Sequence, residues 1–454
     1  MSLRSFLGEM HKKQQMLEIS EEVSTKFEVS AFMKEFDGGP VLYFDNVKGK
    51  ETKIVANVCG TRQRLCWALG VKPDNLYQRL LEAWHSSSQP KKVKGGPVNE
   101  VVERARLSKL PVLTHFDNDA GPYITSAIVY ACSPDKKIEN VSIHRLQVLD
   151  DSHLAIRLVP RHLFKLWQMA KEEKKNLDVA IAFGLHPAVL LAAASPVPFG
   201  VNEFDVANAL LDNKLTLIKC ENVDAYAPAE AEFVLEGRIL FDRESTEGPL
   251  VDIIGNYDVQ RKQPVVELVS TMHRRDYIYE ALLPSGAEHK LLMGLPHETM
   301  IWEAVGKVVP KVKAVNLTLG GCGWLHAFVS IDKIMDGDPK NALTAIFGAH
   351  PSLKHAVVVD TDIDVFNPSE VEWAIATRFQ ADEDLIIIKN ARGSTVDPSA
   401  DQETGLTTKM GVDATRSLAK PEEKFALAKI PPNKRIGEII EQLKKKALKS
   451  EAKE

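Results

Sequence analysis

The stretch Ser88-Gln-Pro-Lys-Lys-Val-Lys-Gly-Gly-Pro97 constrains the architecture more than any other ten residues of this chain. It is polar and holds two prolines and two glycines, which suit neither a helix interior nor a central strand. Such a stretch reads as a link, so units should form on either side of it. At 454 residues the chain is also long enough for two or three full cores.

Residues 1–97 read as a small α/β unit. Leu3 to Met16 suggests an opening helix, and Pro40 to Asp45 and Lys53 to Val58 suggest strands. Leu65 and Leu69, then Leu76 and Leu80, mark two helical pieces separated by Pro73. A second unit spans 98–310. Tyr123 to Cys132 reads as one strand and Ile143 to Leu149 as another. Alternation puts Arg145 and Gln147 on one face of the second. A helix is expected from His162 to Lys174, a strand over 177–183, and helices over 188–194 and from near Asn202.

The third unit, 311–430, alternates strands and helices. Its Gly320-Gly-Cys-Gly323 run lacks the spacing of a phosphate loop and predicts close backbone passage. Asp360, Asp362 and Asp364 lack the calcium-loop pattern and read as a cap for the helix after Pro368. Residues 431–454 form an amphipathic helix and charged tail. Ile436, Ile439, Ile440, Leu443 and Ala447 make an apolar stripe among Lys444, Lys445, Lys446 and Lys449, which reads as a face for a partner subunit.

Composition removes several function classes. The net charge is -5 and no basic patch with interleaved aromatics occurs outside the lysine-rich tail, which argues against nucleic-acid binding. The N-terminus lacks the apolar core of a signal peptide, and no apolar run reaches the length of a membrane span. The five cysteines, Cys59, Cys66, Cys132, Cys220 and Cys322, have neither zinc nor disulfide spacing. They read as reduced thiols of a cytoplasmic protein.

One segment carries chemistry. Glu247-Gly-Pro-Leu-Val-Asp252 places two carboxylates five positions apart around a turn, and upstream Asn140 and Arg145 are also five apart. An arginine bridging two acids can hold one ionised while the other carries a proton. Spacing alone leaves a surface ion pair as the competing reading. His162, in a first helical turn, reads first as a cap or packed ring and only second as a metal or phosphate ligand. Glu203 in its first turn is partly explained by the helix dipole.

Six segments, taken in order, resemble the UbiD family of prenylated-flavin-dependent decarboxylases. They are NVSIHRLQV at 140–148, DSHLAIRLVPRH at 151–162, HPAVLLAAASPVPFGVNE at 186–203, APAEAEFVLEG at 227–237, EGPLVDIIGNY at 247–257 and TTKMGVDAT at 407–415. The resemblance implies an α/β multidomain fold whose middle unit is a flavin-binding split β-barrel. It implies reversible nonoxidative decarboxylation of an unsaturated carboxylic acid through a covalent prenylated-FMN adduct, with carbon dioxide as co-product. Asn140, His162 and Glu203 match the ligands of a divalent metal, manganese in most relatives, that meets the flavin phosphate. Potassium is a further candidate without assignable ligands.

Ile143, Arg145 and Lys409 match cofactor contacts. Arg145, Glu247 and Asp252 match the catalytic set: Asp252 as proton donor, Arg145 orienting the substrate carboxylate, Glu247 holding Arg145. Leu250 departs from the family's phenylalanine or tyrosine. His289 and His297 are candidate contacts to a second carboxylate or a ring hydroxyl, with a packed ring as the equal alternative for each; an aromatic or heteroaromatic acid fits best, with a phosphorylated isoprenoid acid as the other class. A flavin prenyltransferase would supply the cofactor, and a homodimer, or a hexamer built from dimers, would be the assembly. A flavin-dependent reductase and an inactive assembly protein are the competing functions.

Overall fold

A long hairpin organises the middle of the chain. Phe233–Glu247 and Arg261–His273 pair antiparallel, with register shifts after Glu236 and Ile239. Gly237 sits at the first shift, where an added Cβ would meet the Glu267 carbonyl at 2.8 Å, so only glycine lets the strands pass. The surrounding sheet runs Tyr123–Ile124, Leu146–Val148, His153–Ile156, Arg261–His273, Phe233–Glu247, Leu177–Phe183, Ile128–Cys132, Glu139–Ile143, with Val101–Arg104 added beside Arg261–His273. Every neighbouring pair is antiparallel. Its first and seventh strands are joined by residues 125–127 alone, so the sheet curls strongly. Among the described residues no ladder closes it into a barrel.

The computed structural model describes residues 1–426, 428 and 430–451. In the last helix, side chains are described through 440 and at 442 and 443. The fold is mixed α/β throughout. Met16–Ile19, Val41–Phe44 and Lys53–Ala56 form a sheet whose fourth strand, Ile278–Ala281, comes from far downstream. In the third unit Lys311–Leu317, His326–Asp332, His355–Asp360, Leu406–Ala414 and Leu385–Arg392 make a five-stranded sheet, packed by helices Asp338–Ala349 and Pro368–Arg378. One apolar cluster takes in residues from Leu3 to Val358 and so crosses all three.

Four local expectations are corrected. Tyr123 to Cys132 is two strands, because Thr125 and Ser126 turn their hydroxyls to the carbonyls of Leu282 and Glu280 instead of continuing the ladder. Ile143 to Leu149 is also two. The chain leaves Ile128–Cys132 as its neighbour and takes up His153–Ile156, and the break falls at His144 and Arg145. The polar link holds a strand, Lys91–Val93, paired with Thr216–Lys219. The cap of Pro368–Arg378 is Asn367, while Asp360 and Asp362 grip Arg378 at 2.6 and 2.7 Å.

The helix Ala287–Gly306 lies between the middle and third units. Gly294 on this helix and Gly323 in the glycine-rich turn leave room for each other. A Cβ on Gly294 would sit 2.8 Å from the Gly323 carbonyl, and one on Gly323 would sit 2.9 Å from Lys290 Cβ. Close backbone passage is what the glycine run provides. At the far end, Lys434–Glu451 is helical, and Ile436, Ile439, Ile440 and Leu443 are exposed. The side chains of Lys444, Lys445, Lys446, Ala447 and Lys449 lie outside the described residues. Among those described, no helix is long and apolar enough to cross a membrane, and all five cysteines are free.

Candidate active site

The interruption at His144 and Arg145 is what opens the site. A regular strand would commit both residues to a ladder. Here the Arg145 carbonyl accepts from the Arg157 amide, and the guanidinium reaches the turn at 247–258. Arg145 Nε and Nη2 each donate to a Glu247 oxygen at 2.9 Å. Nη2 also donates to Asp258 Oδ2 at 2.9 Å, and Nη1 is 4.0 Å from Asp252 Oδ2. Glu247 is fully buried, whereas the Asp252 side chain is 31% exposed. Burial pulls the Arg145 guanidinium down, but Glu247, Asp258 and Asp252 more than restore it, so it stays charged. Gln147 faces the same turn, and its Oε1 accepts from the Gly248 amide at 3.1 Å.

A second group forms where Glu139–Ile143 meets the N-termini of helices His162–Glu172 and Glu203–Leu210. Glu203 is buried. Its oxygens accept from Asn140 Nδ2 at 2.8 Å and the Val141 amide at 2.7 Å, and His162 Nδ1 is 3.7 Å away. Burial pushes the Glu203 carboxyl up, only partly countered by His162. His144 Nδ1 lies 2.9 Å from the Arg157 carbonyl, which can only accept, so Nδ1 carries the proton. Burial holds His144 neutral, near 4, so Nε2 must accept from Ser142 Oγ at 2.9 Å. The single Ser142 proton is then committed. Asn140 Oδ1, 3.0 Å from that hydroxyl, is left without a donor. An uncommitted amide oxygen, a buried carboxylate and an imidazole make a donor set that suits a hard or borderline divalent cation.

Both groups line one cleft of about 1010 Å³. Asn140, Ile143, Arg145, His162, Glu203, Asp252, His289 and His297 all line it, and Glu247 lies beneath Arg145. Its size is at the upper end of the roughly 300–1,000 Å³ of small-molecule sites, room for a cofactor together with a substrate.

His289 and His297 differ in what they offer. His289 Nδ1 accepts from the Ser285 amide at 3.1 Å, which leaves Nε2–H as a donor; burial lowers the ring's proton affinity, opposed by the charge of Asp252. His297 Nδ1 lies 3.0 Å from the Met293 carbonyl, so its Nε2 is a lone pair while the ring is neutral. Burial holds it neutral, near 4.

Lys409 stands apart. It is buried, its Nζ donates to the Pro351 and Leu353 carbonyls at 2.6 and 2.5 Å, and it is not among the cleft-lining residues. It braces a segment, Pro351 and Ser352, that does line the cleft. Burial alone lowers its ammonium to about 8.

Sequence reasoning missed Asp258, Arg157 and Arg261. Asp258 Oδ1 meets Arg261 at 2.5 Å, and its Oδ2 meets Arg145 at 2.9 Å and Arg157 at 3.7 Å. Arg157 lies inside the segment 151–162, and Asp258 is one residue beyond 247–257; their convergence with Arg261 left no local pattern.

Comparison with known proteins identifies the family. Three family models match in order: the 3-octaprenyl-4-hydroxybenzoate carboxy-lyase N-terminal domain over 7–84, its Rift-related domain over 91–287 and its C-terminal domain over 290–414. The chain is 44% identical over 421 residues to the anhydromevalonate phosphate decarboxylase of Methanothermobacter thermautotrophicus, covering 93% of this chain and 98% of that one. It superposes on the UbiD-class enzyme HmfF from Pelotomaculum thermopropionicum in complex with FMN with a TM-score of 0.93, at 41% identity over 95% of this chain and 98% of that one. An evolved dimeric form of HmfF in complex with prFMN gives a TM-score of 0.89 at 39% identity over 95% and 97%. The chain belongs to the UbiD family of decarboxylases.

Proposed function

We propose that this chain removes carbon dioxide from a phosphorylated, branched, unsaturated aliphatic acid of the anhydromevalonate phosphate type, using prenylated FMN and a divalent metal. The observation that carries the reading is the convergence of Asn140, Arg145, His162, Glu203 and Asp252 on one cleft. The substrate class follows the relative that is 44% identical over nearly its whole length. The aromatic or heteroaromatic acid expected from His289 and His297 is the second reading: a neutral His297 presents a lone pair, which suits a ring hydroxyl, and HmfF and 3,4-dihydroxybenzoic acid decarboxylases share the fold. The reductase and inactive-assembly readings have no observation in their favour.

Asn140, His162 and Glu203 would hold the metal, manganese in this reading, and Ile143 would line the cofactor's part of the cleft. Lys409 acts through Pro351 and not by direct contact. When bound, prenylated FMN supplies an electron sink for the pair that carbon dioxide leaves behind. Arg145 binds the substrate carboxylate and keeps it in register, while Glu247 and Asp258 hold the guanidinium in place.

As the carbon–carboxylate bond breaks, the carbon needs one proton. Asp252, beside Arg145 and partly open to water, delivers it and regains one from solvent. In reverse, Asp252 takes the proton from carbon before carbon dioxide adds.

The curled central sheet fits the family's split barrel, with its first and seventh strands joined by three residues. The exposed stripe of Ile436, Ile439, Ile440 and Leu443 fits a homodimer contact. Potassium binding and a hexamer gain no support from these observations. The test is anaerobic production together with a flavin prenyltransferase, mass analysis of the bound flavin, and a panel of phosphorylated aliphatic, heteroaromatic and aromatic acids. Prenylated flavin with carbon dioxide release from the phosphorylated acid is the expected result. A fully loaded enzyme that turns over aromatic acids and ignores the phosphorylated one overturns the substrate assignment.

A further inference from the structure

We propose that Glu139 is the positioning residue of the cation site and that, through Asn202, it holds Asn140 and Glu203 together as a pair of metal ligands; this rests on the cation-site reading above.

Asn140 and Glu203 come from different elements, the strand Glu139–Ile143 and the helix Glu203–Leu210. Two sets of bonds join these elements. In the first, Asn140 Nδ2 donates to Glu203 Oε1 at 2.8 Å and the Val141 amide donates to Oε2 at 2.7 Å. In the second, one residue back on each element, Asn202 Nδ2 donates to Glu139 Oε2 at 2.5 Å. A cation would act on the two sets differently. The Glu203 oxygens of the first set are the ones a metal would take, so metal binding competes with those bonds. The Glu139–Asn202 bond uses no ligand atom and can stand with the metal bound or absent.

Both partners in that bond have their orientation fixed. Asn202 is the N-cap of its helix, and its Oδ1 accepts from the Phe204 amide at 2.9 Å. The amide nitrogen is therefore the end that faces Glu139. The other Glu139 oxygen accepts from the Tyr130 hydroxyl at 2.7 Å. Tyr130 is buried on the adjacent strand Ile128–Cys132, and its ring stacks on Phe204, the residue after Glu203, with centres 5.8 Å apart and planes 13° apart. Glu139 thus ties two strands to the first turn of the helix. Both of its oxygens already accept a bond, and it is not among the cleft-lining residues, so it is not itself a ligand. Groups of this kind orient metal ligands, and their loss lowers metal affinity about 10- to 100-fold.

The test uses the flavin-loaded chain, dialysed free of metal and titrated with manganous chloride. Electron paramagnetic resonance reads free manganese, absorbance reads flavin content, and heating reads the stability of the metal-free chain. Glu139→Ala should raise the Kd for manganese about 10- to 100-fold. Asn202→Ser keeps a capping oxygen but removes the donor to Glu139, and should weaken binding about tenfold or more. Glu139→Gln can still offer its amide oxygen to Asn202 and its amide nitrogen to the tyrosine oxygen, so it should stay within about fivefold of wild type. A purely structural role would lower the unfolding temperature of the metal-free chain and leave the affinity for manganese where it was.

If wild type binds manganese and Glu139→Ala and Asn202→Ser bind it within about threefold as well, the positioning role is overturned while the cation site stands. If Glu139→Ala does not fold, Asn202→Ser decides alone. If Glu139→Gln loses as much affinity as Glu139→Ala, the charge of Glu139 matters and not its bridge to Asn202, and the proposal is overturned. If wild type binds no manganese, the cation-site reading falls, and the role of Glu139 with it.

Discussion

Arg145 and Glu247, 102 residues apart in sequence, form a bidentate ion pair with 2.9 Å at each contact, and the glutamate is completely buried. Breaking it leaves a buried cation short of its partner. Glu247→Gln is therefore expected to cost about 3 kcal/mol of unfolding free energy and to raise KM for the acid, because Arg145 loses its fixed orientation. Denaturant unfolding read beside steady-state kinetics checks both; an unchanged unfolding midpoint would contradict the role given to the pair.

Asp252→Asn keeps the size of the side chain and removes the proton it must deliver. Turnover should fall roughly 10²- to 10⁴-fold, while flavin and metal contents stay near wild type because neither group of ligands includes Asp252. Near-native turnover in the loaded variant would move the donor role elsewhere.

Glu203→Ala separates retention from chemistry. Glu203 accepts from Asn140 and from the Val141 amide, so its loss removes the only carboxylate of the cation site. Metal content by elemental analysis and flavin content by absorbance should fall together. Full retention of both would show that the cation is bound elsewhere.

A pH effect on stability should come from Glu280 and Glu288. Both are buried, and burial, reinforced by the charge of Glu288 at Glu280 and of Asp37 at Glu288, pushes their carboxyls up from 4.5 to about 8 and about 7. The folded chain then holds these protons more tightly than the unfolded one. Their contribution is complete below the ordinary value of 4.5 and is lost as pH rises through 7 to 8. Glu280→Gln removes one of these titrations. Tm should drop from about pH 6 to about pH 9 in wild type and drop less in the variant. Parallel curves would refute the assignment.

Two glycines should respond oppositely to alanine. Nothing lies within 4 Å of a Cβ on Gly8 in helix Leu3–Lys12, so Gly8→Ala should stabilise by about 0.5–1 kcal/mol. Gly294→Ala places its Cβ 2.8 Å from the Gly323 carbonyl and should destabilise by about 1–3 kcal/mol. Because His289, Leu292, Met293 and His297 reach the cleft from the same helix, KM should rise with it.

Sequence by itself determined the ordered segments around Asn140, Arg145, His162, Glu203, Glu247 and Asp252, and with them the family. Those residues sit in contiguous motifs whose order survives without knowledge of the fold. It also determined the glycine run at 320–323 as a place of close passage. Tertiary structure decided what spacing could not. Arg145 leaves its strand only because the chain changes neighbours at that point. Asp258 gathers three arginines from separate segments. Charge balance is a property of the enclosed cleft, where each group's counter-ion depends on which others fold beside it. No stretch of sequence read alone contains that sum.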